Sequence, residues 1–96
     1  MPRRNVVAGL FGDSAQAGRR KTMLQVGPPY RSVAAAKRAY SQRLIDEQTY
    51  EDNIWVLKMW RSHQIGNAKL DYESKTIDKA QYKQRIAQIE AQYQGR

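Results

Sequence analysis

His63 is the chain's single histidine, and it follows Arg61 and Ser62 directly. A general base needs a nucleophile or a positioning carboxylate within hydrogen-bond reach, and no spacing in this sequence specifies one. His63 is therefore expected on a solvated helix face. GRRKT, residues 18–22, has the closing residues of a phosphate-binding loop, but Arg19 and Arg20 separate Gly18 from Lys21 where Gly-x-x-x-x-Gly-Lys-Ser/Thr is needed, and no helical pattern is read after it. What remains is a basic peptide suited to an acidic surface or a phosphate backbone. Glu47, Glu51 and Asp52 crowd the first turns of a predicted helix, where the helix dipole favours anions without a metal. The alternating oxygen ligands of a calcium loop are absent, and no cysteine accompanies the one histidine to build a zinc site or a disulfide. The expectation is a chain that is not an enzyme and holds no cofactor or metal.

Those side chains sit in 96 residues, room for one domain at most, and the larger apolar residues gather after about position 30. So small a core calls for stabilisation by oligomerisation or a partner surface. The 17 Lys and Arg exceed the 9 Asp and Glu by +8, which predicts attraction to nucleic acid, an anionic membrane or an acidic protein face. Residues 1–31 carry six basic side chains (Arg3, Arg4, Arg19, Arg20, Lys21 and Arg31) against Asp13 alone, so the first third is the more cationic part. Val6 to Phe11 is too short and glycine-broken for a signal peptide, and no apolar run approaches the ~20 residues of a membrane span.

Residues 1–31 show no sustained period, scatter small residues, and end in VGPPYR, whose Pro28-Pro29 pair disfavours regular structure. They are read as an extended basic arm, with Arg3, Arg4, Arg19, Arg20 and Lys21 as its anion-binding side chains. From Ser32 the pattern becomes helical. Ser32 is an N-cap type, and Val33, Ala36, Tyr40 and Leu44 repeat on one face of a helix of about 12 residues. Asp46 caps a second helix over about 47–74, with Tyr50, Ile54, Leu57, Trp55 and Met59 in a wide apolar stripe and Gly66 as a place where it can bend. Asp78, with Gln81 three residues on, caps a third helix carrying Tyr82, Ile86, Ile89 and Tyr93.

The phrases IDEQTY (45–50) and IDKAQY (77–82) lie 32 residues apart. Aligning 36–58 with 68–90 pairs Ala36/Ala68, Lys37/Lys69, Tyr40/Tyr72, Ile45/Ile77, Asp46/Asp78, Tyr50/Tyr82 and Ile54/Ile86, seven identities in 23 positions. This is the signature of an internal repeat whose unit is a helical hairpin: Ile fills the turn, Asp caps the next helix, and the tyrosines face across the crossing. The fold class expected is all-α, helices joined by two duplicated turns near 45 and 77, with residues 32–96 as the helical domain.

LIDEQTYEDNIWVL and TIDKAQYKQRIAQI resemble the short helical hairpin modules called SHOCT domains, in which Ile precedes a capping Thr or Asp and an aromatic follows about four residues later. Arg43-Leu44 and Lys75-Thr76 stand where that family has Gly. The resemblance implies assembly and interaction. AGRRKTMLQVG is similar to a peptide of small phage virion proteins through Gly18, Arg19, Thr22 and Leu24, departing at Lys21, Met23 and Gln25. It implies an accessory part of a large particle, hence a virion or cytoplasmic location.

Trp55 and Trp60 are five residues apart, about 140° around a helix, so both are not expected in one small core, and Trp55, Met59 and Trp60 are assigned to a partner interface. The reading is a structural or interaction subunit of a larger homo-oligomer or hetero-complex, with no membrane role and with the arm ordered by that assembly. A small nucleic-acid-binding protein using the basic arm is the alternative.

Overall fold

The computed structural model describes residues 18–95, all of whose regular structure is helical: α1 (18–26), α2 (Val33–Ser41), α3 (Glu47–Glu73) and α4 (Lys79–Gln94). The helices begin where side-chain oxygens satisfy otherwise orphaned backbone donors. Ser32 accepts from the Ala35 N–H at 3.1 Å, Asp46 from Thr49 at 2.8 Å and Asp78 from Gln81 at 2.7 Å. At Asp78 the Gln81 side chain also accepts the Asp78 N–H at 2.9 Å, closing a capping box.

Both hairpin turns stop a helix in the same way. Leu44 N–H donates to the Ala39 carbonyl at 2.9 Å and Arg43 N–H to that of Tyr40 at 3.0 Å. Thr76 and Lys75 repeat the pair on Asp71 and Tyr72 at 2.8 and 3.1 Å. These are Schellman motifs, and each forces its C′ residue into the left-handed region, Arg43 at φ 60° and Lys75 at φ 65°. This is why α2 ends at Ser41, short of the Leu44 expected from periodicity, and why Leu44 is 65 % exposed.

Across each turn the tyrosines stack, Tyr40 on Tyr50 with centroids 4.8 Å apart and Tyr72 on Tyr82 at 4.9 Å. Arg85 bonds Asp71 and Arg61 bonds Glu90, both at 2.6 Å, so α4 runs antiparallel along the second half of α3. α2 runs antiparallel along its first half. The two short helices thus lie end to end as a second rail beside α3, which is unbroken through Gly66 and spans about 40 Å. At the junction, Gly95 at φ 90° closes α4 against Ser32, where a Cβ would come within 2.7 Å of the Ser32 hydroxyl oxygen. Only glycine fits there.

The core along this rod is thin: Ala36, Ala39, Val56, Leu57, Ala68, Ile89 and Tyr93. Ala36 and Ala68, paired by the 32-residue offset, are both fully buried, because a methyl is all that fits where the rails touch. The radius of gyration is 17.4 Å, against about 12 Å for a compact chain of this length. Among the described residues no helix is long and apolar enough to cross a membrane.

Candidate interaction surface

Residues 18–26 form a helix, which corrects the expectation of extended chain and of no helical pattern over that stretch; residues 1–17 of the expected arm lie outside the described residues. The segment RRKTMLQV contains no glycine or proline, and α3 supplies its partners. Arg19 Nε donates to one oxygen of Asp52 at 3.0 Å and Arg20 Nε to the other at 2.9 Å, while Gln48 donates to Asp52 at 3.2 Å. Asp52 is fully buried. The Arg20 guanidinium also lies over the Trp55 ring, 4.7 Å from its centroid. Asp52, expected only as one of three anions favoured by the helix dipole, also holds α1.

Beside it Asn53, also fully buried, clasps the chain after α1. Its Oδ1 accepts the Tyr30 N–H at 3.0 Å and its Nδ2 donates to the Tyr30 carbonyl at 2.9 Å, so one side chain satisfies both backbone groups of a residue that follows Pro28 and Pro29. Among the described residues no buried side-chain nitrogen or oxygen lacks a hydrogen-bond partner.

Of the five cations assigned to an anionic partner, Arg19 and Arg20 are therefore committed to Asp52, with side chains 46 % and 24 % exposed. Lys21 is exposed on α1, and Arg3 and Arg4 lie outside the described residues. The three residues assigned to a protein partner lie along the α1 side of α3. Trp55 is half-buried under Arg20, and Met59 is 46 % exposed. Trp60 and Met59 line a cleft of about 370 Å³ with Val56 and Leu57 from α3 and Met23 and Leu24 from α1. Gly27, Pro28, Arg31, His63 and Gln92 complete it. Leu24 and Val26 on α1 are 49 % and 73 % exposed.

Ser32, Asp46 and Asp78 occupy the N-cap positions of α2, α3 and α4. Hydrogen bonding by the Thr49 side chain, followed by its backbone N–H, holds the Asp46 carboxyl below its ordinary pKa of 3.8. His63 is exposed. No group of three His, Cys, Asp or Glu side chains among the described residues is placed to hold a metal ion.

The anchoring role of Asp52 and Asn53 had a signal in the sequence. Asn53 falls in helical register with Val56, Leu57 and Trp60, and Asp52 with Trp55, Val56 and Met59, so two polar residues interrupt an apolar stripe. They also break the repeat, since Gln84 and Arg85 stand at the matching positions. No protein-family model, curated protein or solved structure matches this chain.

Proposed function

We propose that the chain is a non-enzymatic interaction subunit of a larger assembly, presenting the α1–α3 surface to a protein neighbour. The observation that carries this reading is the thinness of the core. Among the described residues seven apolar side chains are buried, three of them alanine, along an elongated two-rail rod, while Leu24, Val26, Met59 and Leu70 remain exposed. A monomer so built leaves little apolar area out of water, and a partner surface would supply the rest. Assignment to a phage particle as an accessory component rests on the resemblance of the peptide around residues 18–24, and an assembly role agrees with the hairpin resemblance at the two turns.

The nucleic-acid alternative loses support where Arg19 and Arg20 both turn inward onto Asp52, whose single charge offsets one of theirs. Light scattering after size-exclusion chromatography, with and without duplex DNA at about 50 and 200 mM salt, separates the two readings. The subunit reading expects masses at multiples of 11.1 kDa that change little with salt and fall to the monomer in Trp60→Ala. A monomer that binds duplex DNA, with affinity dropping steeply on added salt, would overturn it.

A further inference from the structure

We propose that the cleft between α1 and α3 seats an apolar side chain from an acidic segment of the neighbouring protein, with Arg31 receiving the carboxylate beside it. This rests on the subunit reading and names the chemistry of the partner.

Three observations lead there. The floor is apolar and partly open: Met23, Leu24, Val56, Met59 and Trp60 surround a space large enough for an aliphatic or aromatic anchor. Among the described residues its lining contains no acidic side chain, whereas it does contain Arg31 and His63, and the whole chain carries +8. Arg31 is also set apart from the arginines that pair. Arg19, Arg20, Arg61 and Arg85 each hold a carboxylate at 3.0 Å or less, while exposed Arg31 has no carboxylate partner among the described residues.

Its position is nevertheless defined. The guanidinium folds back over Gly27, where a Cβ would lie 3.0 Å from Nη2, and Gly27 takes φ 96° as its N–H closes α1 on the Met23 carbonyl at 2.8 Å. A planar bidentate donor at the edge of an apolar cleft matches an apolar side chain flanked by Glu or Asp, since the anchor is desolvated while the carboxylate forms a charge-assisted pair. A basic or neutral apolar segment would leave the guanidinium without a partner as its water is displaced.

The test is a heteronuclear NMR titration of the full chain, following the Trp60 indole and the Met59 methyl. The probes are a short peptide alternating glutamate with leucine and phenylalanine, and the same peptide with lysine for every glutamate. The acidic peptide is expected to shift both resonances and the lysine peptide to shift neither. Arg31→Gln should weaken the acidic peptide about tenfold, the loss of one charge-assisted hydrogen bond, and Arg31→Glu should reverse the preference. Arg31 is exposed, so these variants retain the fold. Equal binding of the two peptides, no shift at Trp60 and Met59, or an unchanged preference in Arg31→Glu would overturn the proposal. The two readings fail separately. Salt-insensitive self-association with no response of the cleft to either peptide removes the cleft's role and leaves the subunit reading standing.

Discussion

Asp52→Asn keeps the size of the side chain and removes its charge from between Arg19 and Arg20. Breaking a buried pair costs about 3–5 kcal/mol when a charge is stranded in the interior. Here the arginines are 46 % and 24 % exposed and can recover water, and the Asn amide oxygen still accepts one bond, so about 2 kcal/mol is expected. That is roughly a thirtyfold change in an opening equilibrium. Because Asp52 ties α1 to the rod and takes no part in the α3–α4 rail, the loss should appear as local opening. Amide hydrogen exchange reads it directly: protection over 22–27 should fall about thirtyfold, while amides of α4 change by less than about twofold. The two arginines should also be unequal. Arg20→Met loses the better-buried ion pair and the cation–π contact with Trp55, the latter worth about 0.5–1 kcal/mol or more, so it should open α1 further than Arg19→Met. Unchanged exchange in α1, a uniform increase along α3 and α4, or a larger effect from Arg19→Met would refute the assignment of Asp52 as the anchor.

Asn53→Ala leaves the Tyr30 N–H and carbonyl without their partner and should cost about 2 kcal/mol in urea unfolding, with faster exchange of the Tyr30 amide; a change below about 0.5 kcal/mol would deny the clasp. Lys75→Gly removes the Cβ conflict at φ 65°, partly offset by the greater freedom of glycine in the unfolded chain, and should raise stability by about 0.5–1 kcal/mol as read from the thermal midpoint. Arg43→Gly should act in the same direction, and a loss of stability in both would contradict the turn geometry. The pKa of Asp46 is depressed in the folded chain, so its contribution is fully present above the unfolded value, about 3.8, and is lost as pH falls through the folded value. Denaturant midpoints measured between about pH 5 and pH 2 should decline less in Asp46→Asn than in the parent, since Asn caps without titrating; parallel curves would rule this out.

The helices of residues 32–95 were legible because their signals are local. Ser32, Asp46 and Asp78 bond backbone donors within three residues, and the Ile-Asp-x-x-x-Tyr phrase sets a turn that is closed by its own backbone. Even the equal burial of Ala36 and Ala68 follows from a repeat visible as letters. What escaped were features decided by distant partners. Arg19 and Arg20 read as free cations because their counter-ion lies 33 and 32 residues away, and that counter-ion, with Trp55, ties 18–26 to α3. Gly66 is a place where a helix can bend, yet the helix expected over about 47–74 runs unbroken through it, since a penalty of about 1 kcal/mol is outweighed by the packing of Ala68, Val56 and Leu57 along the same helix. Sequence alone thus determined α2, α3 and α4, their N-caps and the places of the two turns, all built from contacts a few residues long. Tertiary structure decided which charges pair, where α1 lies, and that an apolar cleft edged by Arg31, which has no carboxylate partner among the described residues, opens beside Trp60, because burial and charge pairing depend on which segments meet in space.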